Sequence, residues 1–381
     1  MKQRLSETMS SIRRVPAYLL RLSNTALPFW FLMLASSTTL NAQSHAQEKA
    51  VDFAPIELYL QNTDFIRKNG RPDVTLLRGY FSNATIKMFL QRPGFDSSKF
   101  VNSLISVYSN KPITDAEKDD EYNLMVKYKK NESVIRTSID RVKKTDIDKL
   151  IKKRLKTFYP KSFNLDSIRL QHVYLFLEEG NGGMQGYVFN SALQTAYLDK
   201  KDLDLISSHE AYHSITSSIF FKKFKDLFNS KPDETVISRQ NLVSYLEFVS
   251  EEGIADLIDK KIISSGTSPL AEEIRKLRVN EVERSEQKIR QLDSLLANNA
   301  VGSNFSNLNG LSENGGHIPG RYMGEKIQAA KLLDDLVEHT GNPFQFFYLY
   351  NEAVKDLASA PKFSDKSISN LKALEALVKG L

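Results

Sequence analysis

Two histidines four residues apart, with a glutamate directly after the first, stand in the run His209-Glu210-Ala211-Tyr212-His213. At about 100° per residue this spacing sets both imidazoles on one side of a helix, where they can grip one metal ion while Glu210 lies beside a water on that metal. The chemistry predicted is hydrolysis by a zinc-activated water, with Glu210 as general base. Chance yields such a pattern on the order of once in a hundred chains of this composition, so a third ligand is required. The plainer alternative is a pair of half-buried imidazoles on an amphipathic helix. Against it, Ile206, His209, His213 and Phe220 fall on one side of a helix expected over residues 203–221, so the histidines continue an apolar stripe. Buried imidazoles need partners, and zinc on one ring nitrogen with an acceptor on the other supplies them.

A strongly periodic helix is expected downstream, over residues 239–263. Tyr245, Val249, Glu252 and Asp256 share one of its faces, as a ligating carboxylate followed one turn later by a buried acid would. The bland reading of Glu252 is a solvated glutamate on an acidic face, since Glu247, Glu251 and Asp259 are close in sequence. Gly253 keeps bulk away from that carboxylate.

Taken together, HEAYH and the later EEGIAD resemble the gluzincin metallopeptidases. In that group a glutamate on a second helix completes the zinc site and an acid four residues later orients one of the motif's histidines. The resemblance implies Glu252 as third ligand and Asp256 as the orienting acid. Glu251 is the alternative ligand, but its four-residue partner is Ala255, which cannot accept a hydrogen bond. Glu252 lies 39 positions after His213, a longer separation than in the best-known gluzincins. The segment over residues 221–240, with Asn229-Ser230-Lys231-Pro232-Asp233, is expected to form the extra connection. The chain is most similar to poorly characterised secreted bacterial families of zinc-dependent peptidases. The likeness covers about residues 50–380, its specific motifs lying between Ser207 and Asp256.

Two imidazoles and one carboxylate leave a fourth coordination position for water, the open arrangement of catalytic zinc sites. Glu210 would take the water's proton as its oxygen attacks a peptide carbonyl, then pass it to the leaving amine. A further donor to the developing oxyanion is worth roughly 3–4 kcal/mol. Candidates lie in Gly315-Gly316-His317-Ile318-Pro319-Gly320-Arg321-Tyr322-Met323-Gly324, which opens a helix continuing over residues 325–337 and follows a polar loop over residues 298–316. The glycines permit close backbone approach to another element or to substrate. Tyr322 and His317 are both suitable, and related zinc peptidases use a tyrosine or histidine in this role. Tyr322 is slightly favoured because a phenol stays protonated at neutral pH, whereas a histidine need not. The structural alternative is a helix start packed under a loop.

Upstream of the motif helix, residues 168–177 alternate and then become continuously apolar, and a second strand is expected over residues 186–190 after a glycine-rich turn. In zincins an edge strand at this place pairs with extended substrate. Gly182-Gly183-Met184-Gln185-Gly186 resembles in position the amine-recognising strand of zinc aminopeptidases, but Gln185 stands where their acidic residue would be. No aminopeptidase is expected, and a plain hairpin turn is the simpler reading.

Lys2, Arg4, Arg13, Arg14 and Arg21 precede an apolar run from Ala26 to Ala35, with Glu7 the one acid before it. That is the pattern of a secretory signal over residues 1–42, cut near Ala42, with an apolar core too short to span a membrane. Export to the periplasm or beyond is expected, with retention as an uncleaved anchor the alternative. The sequence has no cysteine, which excludes lipid attachment at a cysteine, disulfides and thiolate ligands, leaving nitrogen and oxygen for zinc. Because five basic residues and one acidic residue lie in residues 1–42, net charge falls from +6 to +2 on cleavage. That removes the general basic field that nucleic-acid binding needs, and no stable membrane span is expected after cleavage. A basic helix over residues 143–161, with Lys149, Lys152, Lys153, Arg154 and Lys156, reads as a solvated face.

The expected architecture is α+β and predominantly helical: a zincin-like core with a short sheet beside the HEAYH helix, and a second helix carrying the glutamate. Residues 51–165 form an N-terminal helical region broken at Arg92-Pro93-Gly94 and Lys111-Pro112. Residues 166–297 hold the core, and residues 298–381 add the polar loop and C-terminal helices. The function expected is peptide hydrolysis with Zn2+ as cofactor and a peptide or protein as partner. The competing function is an inactive zinc-binding or protein-interaction module, which has no use for a carboxylate at Glu210.

Overall fold

The apolar run at residues 168–177 forms a strand, β2, over Gln171–Leu175, buried at every position but the first. In the computed structural model, which describes residues 51–90, 95–109, 119–178, 181–182, 186–298, 308, 311 and 316–380, β2 lies between β1 (Val51–Asp52) and β4 (Tyr187–Ser191) and is parallel to both. β3 (Asn181–Gly182) closes the far edge antiparallel to β4, giving the order β1-β2-β4-β3. The two strands read from sequence therefore pair side by side, Gln171 opposite Tyr187 and Leu175 opposite Ser191. β3 and β4 pair with Gly182 opposite Val188, while residues 179–180 and 183–185 of the glycine-rich segment, Gln185 among them, lie outside the described residues. A parallel strand covered on both faces has no polar side, which is why β2 loses its alternation.

The rest of the described chain is mainly helical, and Lys49–Leu381 forms one compact unit. Among the described residues no helix is long and apolar enough to cross a membrane. N-terminal helices at Ala54–Asn69 and Asp120–Lys143 pack on the sheet side of the core. Tyr128, from the second, donates to Leu177 O at 2.8 Å just past β2, and the Tyr59 ring stacks on Phe176 with centroids 4.3 Å apart. The basic segment is shorter than expected. Its helix spans Ile147–Leu155, buries Ile147, Ile151 and Leu155, and gives up Arg154 to an ion pair with buried Asp204 and Lys152 to Asp148. The proposed breaks at Arg92-Pro93-Gly94 and Lys111-Pro112, the signal segment and most of the polar loop over residues 298–316 lie outside the described residues.

Three helices position the chemistry. The motif helix spans Leu205–Lys223 and is buried all round from Leu205 to Thr216, a wider burial than the single apolar stripe expected. The carboxylate helix spans Glu234–Ile258. It starts earlier than the sequence reading because Asp233 caps it, accepting from Val236 N at 2.8 Å, and Pro232 keeps the preceding connection out of it. The glycine helix spans His317–Ala329, with Ile318 outside helical dihedrals (φ −111°, ψ 105°). It ends before the expected continuation to residue 337: the chain turns at Lys331 with φ 63°, and a separate helix covers Leu333–Glu338.

Candidate metal centre

The motif helix is pinned to the sheet. At its start Arg154 forks onto Asp204, with Nη2 to Oδ1 at 3.1 Å, and Ser207 Oγ donates to Asn190 Oδ1 of β4 at 2.6 Å. Tyr159 donates to the Tyr212 carbonyl at 3.1 Å from the opposite flank. With the helix held on both sides, His209 and His213 point at one place. Their Nε2 atoms are 3.1 Å apart, and each is 3.4 Å from Glu252 Oε2 on the carboxylate helix. Zinc with ligands at about 2.0–2.1 Å makes a tetrahedron whose edge is roughly 3.3 Å, so the triangle has the dimensions of one face of such a site. Glu252 Oε2 is buried, makes no hydrogen bond of good geometry and faces three imidazole nitrogens at 3.1–3.4 Å, so protonated rings or a metal cation must satisfy it. The donors present therefore fit a zinc ion. A second set, His209, Glu252, Asp256 and His317, also brings one donor atom each within 4.8 Å of the others. His209 and Glu252 belong to both sets, and the set with His213 has all three of its edges at 3.1–3.4 Å.

The far nitrogens of the two motif histidines are held by acids, though not by the acid that spacing suggested. His209 Nδ1 lies 3.1 Å from Asp259 Oδ1, and Asp259 Oδ2 accepts from Lys260 Nζ at 3.2 Å. His213 Nδ1 lies 3.3 Å from Glu251 Oε2, which also accepts from Ser217. Asp256 is 3.9 Å from His209 Nδ1, beyond hydrogen-bond reach, and instead meets His317 Nδ1 at 3.1 Å. At the place behind His209 Nδ1 where spacing put Asp256 stands Asp259, three residues further on. Glu251, considered as an alternative ligand, approaches His213 from behind.

Glu210 is buried next to this face, and burial raises its carboxyl above the usual range. It forms no hydrogen bond among the described residues, which leaves its oxygens free to receive a proton. The two oxyanion candidates part company. Tyr322 donates to Glu286 Oε1 at 3.3 Å and packs its ring near Tyr350. His317 comes into the centre, its ring centroid 5.9 Å from that of His209 and its Nδ1 3.1 Å from Glu252 Oε2. Its side chain is 34% exposed, so the centre opens on the His317 side. Burial works against a charged His317, yet Glu252 and Asp256 raise it above the ordinary histidine value.

The same balance governs the two motif histidines and Glu252. Burial disfavours charged imidazoles, but Asp259 holds His209 up at about 10, and Glu252 with Glu251 holds His213 well above its ordinary value. Burial would raise Glu252, and the neighbouring histidines draw it well below the usual carboxylate range. Asp259 follows the same logic, with Lys260 and His209 outweighing burial and holding it at about 2. The acids create a potential that favours positive charge at the imidazole nitrogens, which is where a dication would sit.

What brings His317 to Glu252 is a crossing of the carboxylate and glycine helices without side chains between them. A Cβ on Gly253 would lie 2.6 Å from Gly320 O and 2.5 Å from Phe346 Cζ, and one on Gly324 would lie 2.5 Å from Gly253 O. The glycines at 316, 320 and 324 therefore serve close approach to another element, one of the two uses expected; Gly315 lies outside the described residues.

Such a centre, with nitrogen and oxygen donors, a buried carboxylate alongside and one open side, is of the hydrolytic metal type. The chain belongs to the family described as "Putative zinc dependent peptidase (DUF5700)", whose model matches residues 78–359. Zinc is accordingly its metal and a peptide or protein its substrate class. No curated protein and no solved structure matches the chain.

Sequence reasoning passed over Asp259 and Lys260 as groups of the site. A signal was available: Glu252, Asp256 and Asp259 recur at i, i+4 and i+7, one continuous face of the carboxylate helix and its end. For Glu251 no such signal existed, because its partner comes from another helix.

Proposed function

We propose that the protein is an exported metallopeptidase of gluzincin type, on a zincin-like core, that binds zinc through His209, His213 and Glu252 and uses Glu210 as general base. The observation that carries this reading is the Nε2–Nε2–Oε2 triangle of 3.1, 3.4 and 3.4 Å, closed on a buried carboxylate oxygen with no hydrogen bond. When bound, zinc supplies a Lewis acid and lowers the pKa of a water towards about 7. Glu210 takes the proton of the attacking water and delivers it to the leaving amine; its raised pKa suits both halves of that task. Asp259 and Glu251 fix the Nδ1 sides of the two histidines and so leave both Nε2 lone pairs facing inward. With Nδ1 held by Asp256, His317 offers Nε2 to the oxyanion. β3, the sheet edge packed on the motif helix, offers an extended peptide a place to add as a further strand. The basic stretch followed by an apolar run in residues 1–42 supports export.

Metal analysis and peptide-library cleavage by the protein and by Glu210→Gln test the reading. Zinc at one per chain in both forms, with cleavage in the parent alone, is expected. Zinc without cleavage by either would leave a binding module, and absence of zinc would remove the site.

A further inference from the structure

Behind His213, on the side away from Glu252, the carboxylate and motif helices and the segment around Asn342 enclose a small cavity, lined in part by Tyr212, Glu247, Glu251, Asn342 and Phe346. Two of its oxygens, Glu247 Oε1 and Asn342 Oδ1, are buried and accept no hydrogen bond. Glu247 is 7% exposed and Asn342 8%, so water outside the protein does not serve them. The Asn342 amide has a fixed sense. Its Nδ2 donates at 2.8 Å to Glu375 Oε1, a carboxylate that can only accept, and this leaves the oxygen end for the cavity. Glu247 and Glu251 are one helical turn apart and share a face. Among the described residues neither forms an ion pair with a lysine or arginine, and the ring that touches Glu251 is His213.

Two buried carboxylates and an unpartnered amide oxygen around one small space make a set of hard oxygen donors, in which burial and the neighbouring Glu251 push the Glu247 carboxyl well up while Glu251 faces His213. We propose that this cavity holds a single hard divalent cation of the calcium or magnesium class, ligated by Glu247, Glu251 and Asn342 Oδ1. Such ions take carboxylate and amide oxygens and are neutralised by a pair of carboxylates. Zinc, by contrast, is served by the nitrogen-containing triangle. The two sites share Glu251, whose Oε2 lies 3.3 Å from His213 Nδ1, so an ion here steadies a histidine of the zinc face. The rival occupancy is a proton held between Glu247 and Glu251. This inference concerns a site distinct from the zinc triangle and does not require that the protein cut peptides.

The test uses the zinc-loaded full chain in metal-depleted buffer. Bound metals are counted by mass spectrometry, and thermal unfolding is followed with added calcium or magnesium chloride at matched ionic strength. One calcium or magnesium per chain beyond zinc is expected, with a melting temperature raised by roughly 3 °C or more at saturation. Glu247→Gln should abolish both effects and leave zinc content unchanged. If that variant does not fold, Asn342→Ala should weaken the cation at least tenfold, on the order expected for losing one of few ligands. A parent chain that binds no second ion and shows no response to either salt overturns the proposal in favour of the shared proton. Cation binding that survives these substitutions overturns it as well. Failure of the zinc reading would show separately, as missing zinc with this site still responsive.

Discussion

Replacing Gly253 by alanine tests the idea that the centre is assembled by bare backbone contact between two helices. A Cβ at this position would stand 2.6 Å from Gly320 O and 2.9 Å from Gly320 C, where ordinary contact begins at 3.4 Å. Neither atom belongs to a side chain that can turn aside, and the other neighbour, Phe346 Cζ at 2.5 Å, belongs to a fully buried ring. The helices must therefore part by about 0.8 Å, the shortfall at the carbonyl oxygen. Overpacking of this kind costs about 1–3 kcal/mol, and this site lies at the upper end because backbone resists on both sides. The displacement is also felt chemically, since Glu252 precedes Gly253 and His317 comes from the helix that is pushed away. A shift near 1 Å in positioned groups lowers turnover by about 100-fold. Urea unfolding, a chelator competition for zinc and kcat/KM on one peptide read the three effects together. Gly79→Ala is the control: its Cβ would meet only Leu58 Cδ2 at 3.7 Å, within a helix, and should leave all three unharmed. Gly253→Ala with parental stability and zinc affinity would refute the backbone-contact reasoning.

Asp259→Asn should weaken zinc by about 10- to 100-fold without removing a ligand, read by chelator competition, because the His209 Nδ1 side loses its anionic acceptor; Asp256→Asn should disturb zinc less. His317→Ala should lower kcat by about 100- to 1,000-fold with zinc content retained, whereas Tyr322→Phe, which loses only a bond to Glu286, should leave kcat near parental in the same assay. His172 on β2 is fully buried with neither ring nitrogen hydrogen-bonded, and burial lowers it to about 4. Its folded value lies below the ordinary 6.5, so its contribution is complete above pH 6.5 and is lost as pH falls from there to about 4, up to about 3 kcal/mol. Urea unfolding across that range should show a shallower decline in His172→Gln, and an unchanged slope would count against the assignment.

The strand at residues 171–175 was legible as a short, continuously apolar run, and the helices bearing HEAYH and Glu252 from their helix-favouring composition and the i, i+4 spacing of their donors, although both are buried well beyond one stripe. The parallel pairing of β2 with β4 was not legible. A buried strand carries no mark of its neighbour's direction, and β3 could be counted only once the chain was seen to cross the sheet edge. The helix expected to run on to residue 337 stops at Ala329, the chain turning at Lys331 with positive φ although no glycine or proline announces the break.

Sequence by itself determined the donor types, nitrogen and oxygen without thiolate, and the two positions on the motif helix, since i and i+4 share a face whatever surrounds the helix. Tertiary structure decided which acids serve them. Asp259 reaches His209 and Asp256 reaches His317 because the glycine helix crosses at backbone distance beside Glu252 and brings a third imidazole into the space an acid at i+4 would otherwise fill. Spacing along one helix fixes a direction; what stands in that direction is fixed by the packing of the other two.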